Sequence, residues 1–423
     1  MRVLFVNKYY FMKGGAERLL FNLKGILEAH DHTVVPLSLR FARNQPTPYA
    51  HYFMEPPAGE DAVQFEQFRL RPAIVPRMIL AAFYWPEAKA RLREVIRRER
   101  IDLVCMMNVS NYISPSIVDG AHLEGVPVVH VIVDYHLVCP NAKLNRPGKD
   151  RCLDCLPGKY WHGIAHRCVG GSLGASAIRA AAMFFQDAIR VYHRVDSFAC
   201  LTPFMRELLS KRGFPRDRLH VLPTPIDASQ VEVGAEDDGS FLFFGRISPE
   251  KGVDLIPRAA QLMKSTNNRL LILGDTSSPY AKECMAQAAR GTGAPVEFLG
   301  LRYGDELWRL VRRCRATLAP SRWLDNLPNV LLESFACGKP VIGADVEGIN
   351  VVVHDKENGL LFEPGNPTDM AAKLDALAAD QDRARRMGQA GRRLVEADYS
   401  PALVYERLMA IFEHATQTWR RKR

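Results

Sequence analysis

With 423 residues, 47% of them hydrophobic and 24% charged, the chain has the composition of an ordinary globular protein, too long for one hydrophobic core and suited to two or three. Its best apolar run, Ala73 to Trp85, is interrupted by Pro76 and Arg77 and falls short of the ~18 residues of a membrane span. The excess of 56 basic over 47 acidic residues suits an anionic substrate or an anionic membrane face, while the absence of RNA-recognition, helix-turn-helix or zinc-finger patterns argues against a nucleic-acid partner.

Strands alternate with helices along the chain, which predicts parallel sheets. The first half holds strand candidates at Val3 to Asn7, Thr33 to Leu37, Leu103 to Met107, Val128 to Val133 and Ser197 to Leu201. The second half holds Phe241 to Gly245, Leu270 to Gly274, Val296 to Leu299, Ala316 to Ala319 and Val341 to Ala344. Between the two sets, Asp227 to Gly239 is polar and glycine-containing and marks the domain boundary. The expected division is therefore a Rossmann-like domain over 1–227, a second over 239–397 and a terminal segment over 398–423. The chain begins directly on a strand with no secretory apolar region, which predicts a cytoplasmic protein. Basic clusters at Lys89 to Arg100 and Trp419 to Arg423 read first as solvated helix faces; contact with the inner face of an anionic membrane would make use of such surfaces.

The first strand leads into Gly14-Gly15 and a helix with Leu19, Leu20, Leu23, Ile26 and Leu27 on one face. A glycine pair at a helix start lets another molecule approach the backbone and leaves N–H groups for an anion. In the second half, Phe241-Leu-Phe-Phe-Gly245-Arg246-Ile-Ser-Pro-Glu250-Lys251-Gly252 reads as a strand, a glycine turn and a helix opening near Pro249. Such a turn is where α/β sheets hold phosphate, and this one adds the cations Arg246 and Lys251. Further on, Asp325 and Glu333 straddle Pro328, a residue favoured in the first helical turn; Asp325 then lies in a loop and Glu333 about a turn and a half inside a helix closed by Gly338. Eight residues at ~1.5 Å each is roughly 12 Å, the reach from a sugar to a ribose across a diphosphate.

These segments resemble the retaining family-4 glycosyltransferases. Asp325 to Glu333 is similar to their E-x7-E signature with Asp in the first place, Gly245 to Gly252 to their diphosphate clamp, and Gly14 to Glu17 to their G-G-x-E segment. The resemblance implies an α/β GT-B fold of two facing Rossmann-like domains, with a C-terminal helix crossing back to the first. It implies a sugar passed from a nucleotide diphosphate sugar to a hydroxyl acceptor, in bacterial polysaccharide or glycolipid assembly, with no cofactor required. Asp325 would hold sugar hydroxyls, Glu333 the ribose, and Arg246, Lys251, Gly245 and Asn329 the diphosphate, faced by Gly14 and Gly15. The loops at Leu271 to Asp275 and Val296 to Arg302 would hold the nucleobase through backbone contacts. An epimerase, a phosphorylase or a non-catalytic sugar- or lipid-binding protein would share the scaffold.

The element Asp134-Tyr-His136-Leu-Val-Cys139-Pro140, followed by Cys152, Cys155 and Cys168, is similar to an insert in a subset of these enzymes and spans about 139–168. Asp134 stands at the position of a catalytic Asp, and His136 shares its face if the chain is extended. Many members of the family it resembles carry a histidine just before this Asp, where this chain has Val133, with His130 and His136 nearby. The four cysteines satisfy the ligand count for tetrahedral zinc, but their outer spacings match no standard zinc module, so reduced thiols and no metal are expected. Asp380-Gln-Asp382 lies in a charged helical stretch and reads as solvated surface.

Overall fold

The structure, a computed structural model, describes residues 1–57, 75–110 and 112–422. The chain forms two compact units, Met1–Pro223 with Val404–Arg423, and Thr224–Leu403. The apolar run noted above begins outside the described residues, as does Arg423. Among the described residues no helix is long and apolar enough to cross a membrane.

The first unit is a six-stranded parallel sheet of β1 (Arg2–Val6), β2 (Thr33–Leu37), β3 (Leu103–Met106), β4 (Val128–Ile132), β5 (Ser197–Cys200) and β6 (Leu219–Val221), in the order β2-β1-β3-β4-β5-β6. The second repeats the plan with β7 (Phe241–Phe244), β8 (Leu270–Leu273), β9 (Val296–Gly300), β10 (Ala316–Ala319), β11 (Val341–Ala344) and β12 (Gly359–Phe362), in the order β12-β11-β10-β7-β8-β9. Helices cover both faces of such sheets, so central strands are buried throughout: every residue of β3, β4, β7 and β8 is buried. In each sheet the order reverses once, between β1 and β3 and between β7 and β10. Open α/β sheets bind ligands outside the carboxyl ends of the strands at that reversal.

Three expectations are corrected. β6 and β12 are strands beyond the expected ten; β6 has three residues, one of them His220, and β12 has three apolar residues behind a glycine, so each is shorter than an ordinary strand signal. The boundary lies at Pro223, before the polar segment 227–239, because that segment is pinned to the second unit. Gly234 N–H donates to Cys337 O (2.9 Å), Asp238 N–H to Arg313 O (2.9 Å) and Lys339 Nζ to Glu236 O (2.7 Å). The terminal helix begins at Pro401 rather than near 398, and from Val404 it belongs to the first unit.

That helix, Pro401–Lys422, buries Val404, Leu408, Ile411, Phe412 and Ala415 among Val3, Phe5 and Leu23 of the first core. Its end is fixed by Lys422 Nζ on Asp196 (2.6 Å) and Trp419 Nε1 on Gly125 O (3.0 Å). The basic helix Pro86–Glu99 is largely satisfied within the chain: Arg93 and Arg97 share Glu124, and Arg91 and Arg98 share Glu94. In the second unit, helix Gln381–Asp398 lies so close on helix Asn329–Ala336 that a Cβ on Gly388 would stand 1.9 Å from Gly338 O, and one on Gly391 2.2 Å from Phe335 Cδ1. Backbone cannot yield as a side-chain tip does. Gly388→Ala is therefore expected to destabilise the second unit by ~1–3 kcal/mol, read as a fall in Tm of roughly 3–10 °C; an unchanged melting curve would refute this packing.

Candidate active site

At the carboxyl end of β7, Gly245 adopts φ 147°, a conformation that favours glycine. A Cβ on Gly274, which follows β8, would stand 2.3 Å from Gly245 O, so two glycines let the β7 and β8 loops touch. The chain then makes a three-residue turn, Pro249–Lys251, and not the α-helix expected there. Gly252, at φ 65°, breaks the turn, and its missing Cβ is what lets it lie against Pro320 O after β10; the α-helix waits until Leu255. This contact carries Lys251 to the β10 loop, where its Nζ makes an ion pair with Asp325 Oδ2.

Asp325 is 8% exposed and held from several sides. Ser321 Oγ donates to its Oδ2 (3.3 Å) and the Asn326 N–H to its Oδ1 (3.1 Å). The next residues are strained: Leu327, buried and not glycine, sits at φ 54°, which costs ~1–2 kcal/mol. The β11 loop braces it, for Gly348 lies against Asp325 O so closely that a Cβ would be 2.0 Å away. Pro328 stands just outside helix Asn329–Ala336, at its N-cap position, and Glu333, 8% exposed, is one turn inside. Arg246, by contrast, keeps 72% of its side chain exposed, with the Glu250 carboxylate 4.0 Å away. The switch point of the second unit thus joins Lys251 to Asp325, continues from Asp325 into the helix that carries Glu333, and leaves Arg246 reaching into solvent.

Sequence reasoning missed residues on these same loops. Arg322 bridges the clamp turn, its Nη2 on Asp254 (2.5 Å) and its N–H on Glu250 O (3.0 Å). Trp323, whose ring lies 5.9 Å from Lys251 Nζ, has a buried Nε1 without a protein partner, as do Ser248 Oγ and Glu347 Oε2. Arg322, Trp323 and Ser248 lie within the motifs; Glu347 had only its place before a glycine as a signal. The expected base-side loops lie at the ends of β8 and β9, joined by Gly274 N–H to Gly300 O (3.1 Å).

In the first unit the reversal point is tied by Asn7 Oδ1, which accepts the Asn108 N–H (3.2 Å). Helix Gly15–Glu28 opens with Gly14 as its N-cap. Its N-terminal donors are not all waiting for an anion: buried Glu17 folds back on them. Burial pushes Glu17 above the usual carboxylate range, opposed by hydrogen bonds from the Glu17 and Gly14 backbone and from Asn7. Lys8 is buried beside it with Nζ 3.0 Å from the centroid of Tyr112, and burial together with Lys13 lowers it to about 6.

Asp134 lies two residues past β4. The extended reading there is corrected, because the Val138 and Cys139 N–H groups both donate to Tyr135 O and turn the chain. Asp134 Oδ1 takes both the His136 N–H (3.0 Å) and Nδ1 (2.5 Å). Beyond, Cys139, Cys152, Cys155 and Cys168 line one small cavity with His162 and His166 as free thiols. Burial pushes Cys155 to about 12 and Cys168 to about 11, and Cys139 Sγ donates to Asn141 Oδ1 (2.9 Å). Among the described residues no group of three His, Cys, Asp or Glu is arranged to hold a metal ion. Asp380 caps helix Gln381–Asp398 through the Arg383 N–H (2.8 Å).

Two doubly wound parallel units, the second with a cation and a carboxylate paired at its reversal point, define the GT-B fold. The family described as "Glycosyltransferase Family 4" matches residues 13–230, and "Glycosyl transferases group 1" matches 226–394. The chain belongs to glycosyltransferase family 4. It is 33% identical over 202 residues to the D-inositol 3-phosphate glycosyltransferase of Nocardia farcinica, a match covering 43% of this chain and 45% of that one. It is 26% identical over 221 residues to the alpha-D-kanosaminyltransferase of Streptomyces kanamyceticus, covering 49% and 57%. These matches span about half the length of the relatives. Anabaena HepE, solved with UDP and glucose, superposes with a TM-score of 0.63 at 15% identity over 97% of this chain and 98% of its own.

Proposed function

We propose that this protein is a retaining glycosyltransferase that transfers a sugar from a nucleotide diphosphate sugar to a hydroxyl acceptor in polysaccharide or glycolipid assembly. The observation that carries the reading is the Lys251–Asp325 pair at the reversal point of the second unit. A diphosphate entering there meets Lys251, Arg246 and the N-terminus of helix Asn329–Ala336. Their positive charge and dipole favour the departing anion, most strongly as its charge grows in the transition state. Asp325 accepts from sugar hydroxyls while sharing Lys251 with the phosphates, and Glu333 accepts from the ribose. A diphosphate oxygen takes the acceptor proton on the face the leaving group vacates. Protein cations neutralise the phosphates, so transfer is expected to persist in the presence of a chelator. The presence of UDP and glucose in the HepE structure supports this donor class. The net charge of +9 suits a lipid-linked acceptor at an anionic membrane surface.

Turnover of UDP-glucose, UDP-galactose, UDP-N-acetylglucosamine and GDP-mannose, followed as release of nucleoside diphosphate, tests the reading. Release from none of them, with and without alkyl glycoside acceptors, would favour a non-catalytic binder. Glu333→Gln keeps the shape of the side chain but weakens acceptance of two hydroxyl protons. Its nucleoside diphosphate affinity is expected to fall by ~1–3 kcal/mol, measured by calorimetric titration; an unchanged isotherm would place Glu333 outside the site.

A further inference from the structure

We propose that Asp254 and Arg322 are a positioning pair that sets the register of the two loops carrying Lys251 and Asp325, and keeps that register when a diphosphate takes Lys251. This rests on the reading above, in which Lys251 and Asp325 serve the diphosphate and the sugar. The loop after β7 supplies Lys251 and Asp254, and the loop after β10 supplies Arg322 and Asp325. Their pairing is reciprocal: Lys251 meets Asp325, and Arg322 Nη2 donates to Asp254 Oδ2 (2.5 Å). Each loop thus offers one cation and one anion three positions apart, and the two loops meet in antiparallel order. Their backbones touch as well, through the Arg322 N–H on Glu250 O (3.0 Å) and through Gly252 against Pro320 O.

A single ion pair draws two loops together but leaves them free to shift along each other. Two pairs of opposite polarity do not. A slip of three positions sets either Lys251 on Arg322 or Asp254 on Asp325, like charge on like, so one register is favoured over its neighbours. Asp254 is itself pinned from a third side. Tyr280, near the start of helix Pro279–Ala289 after β8, donates to Asp254 Oδ1 (2.6 Å) and accepts the Asp254 N–H (3.2 Å). Burial, and then the bond to Asp254, push Tyr280 above its usual range, so its hydroxyl keeps its proton and donates. Arg258 Nη1 lies 4.0 Å from Asp254 Oδ2, but it stands on the helix that Asp254 caps and cannot tie one loop to the other. When Lys251 and Asp325 exchange their mutual contact for phosphate and sugar, Arg322 and Asp254 stay joined and hold the two loops in place.

Arg322→Met keeps the aliphatic stem and removes the guanidinium, whereas Arg322→Lys returns one N–H to Asp254 Oδ2. These two, Asp254→Asn, and Asp254→Asn combined with Arg322→Met are assayed for kcat and KM on the sugar nucleotide that the donor panel selects. UDP affinity is measured by calorimetric titration, and protection of the 320–327 amides by hydrogen exchange. The methionine variant is expected to lose ~10- to 100-fold in kcat while UDP affinity stays within about threefold, and its Arg322 amide is expected to exchange about tenfold faster or more. The lysine variant is expected within about threefold of wild type in kcat, since the tie is restored. The double variant is expected to lose no more than the methionine variant, because the two residues act as one unit. Wild-type kcat or wild-type exchange in the methionine variant, an equal loss in the lysine variant, or additive losses in the double variant overturns the proposal. So does a fall in UDP affinity as large as the fall in kcat, which would make Arg322 a ligand contact. If wild type turns over none of the donors, the reading of the site fails and hydrogen exchange alone decides the pair. If the methionine variant does not fold, Tyr280→Phe, which frees Asp254 on the β8 side, carries the test: kcat is expected to fall ~3- to 10-fold at unchanged UDP affinity, and wild-type kcat overturns the proposal.

Discussion

Asp325→Ala is expected to cut sugar transfer by ~100-fold or more while UDP affinity holds or rises. The expectation follows from the place of Asp325 in the structure, where it is the counter-ion of Lys251, whose side chain is 19% exposed. Removing one member of a buried pair costs ~3–5 kcal/mol because the other charge is left unanswered, so the unliganded variant should melt below wild type. A bound diphosphate supplies the missing anion. UDP should therefore raise the Tm of the variant by more than it raises that of wild type, an outcome that a simple loss of packing would not produce. Transfer still fails, because the sugar hydroxyls have lost their acceptor. Asp325→Glu is expected to be impaired as well: the loop is fixed by Leu327 and pressed by Gly348, and an added methylene in a fitted pocket costs ~1–3 kcal/mol. Wild-type transfer by the alanine variant would remove Asp325 from the site. A glutamate variant that outperformed wild type on every donor would mark the Asp as decay of a catalytic position and favour a non-catalytic role.

Much of this site is written locally. Strands such as Phe241–Phe244 and Leu270–Leu273 are buried on both faces and stand out as apolar runs. Gly245, Lys251 and Asp325 fall in the loops after strands that the alternation of elements already marks, and Glu333 in the helix that follows one of them. What local reading does not reach is contact between loops. The pairing of Lys251 with Asp325 spans seventy-four positions and depends on Gly252 lying against Pro320, a close approach seen only once the strands are assembled. The same limit explains the misplaced helix start, since Pro249 is an ordinary opening signal and only the left-handed Gly252 after it stops the helix. Glu17 shows the other side of this: a glycine pair at a helix start announces free donors, yet a carboxylate from the first turn takes part of them. At Asp134 the alternation of an extended chain suggested a shared face with His136, and the real link is a turn in which one oxygen takes two donors.

Arg246→Ala is the complementary case, because Arg246 contributes little to the folded protein on its own. Its side chain is 72% exposed and its acidic neighbour Glu250 stands 4.0 Å off; such surface pairs are worth ~0–1 kcal/mol. The Tm of the unliganded variant should therefore match wild type. Its proposed role begins when the diphosphate arrives, as a guanidinium making a charge-assisted bond worth ~1.5–3 kcal/mol, and that bond strengthens as negative charge collects on the leaving group. Turnover is accordingly expected to fall roughly tenfold to a hundredfold or more, with kcat falling at least as much as affinity for UDP. Arg246→Lys should recover part of the loss, since it restores the charge without the two-pronged geometry. The pair of variants divides the work of the two cations: losing Arg246 leaves the Lys251–Asp325 contact in place, so its effect reports the phosphate interaction alone. Wild-type turnover in a well-folded Arg246→Ala protein would show that the diphosphate does not pass this turn, and the clamp would have to be sought elsewhere in the second unit.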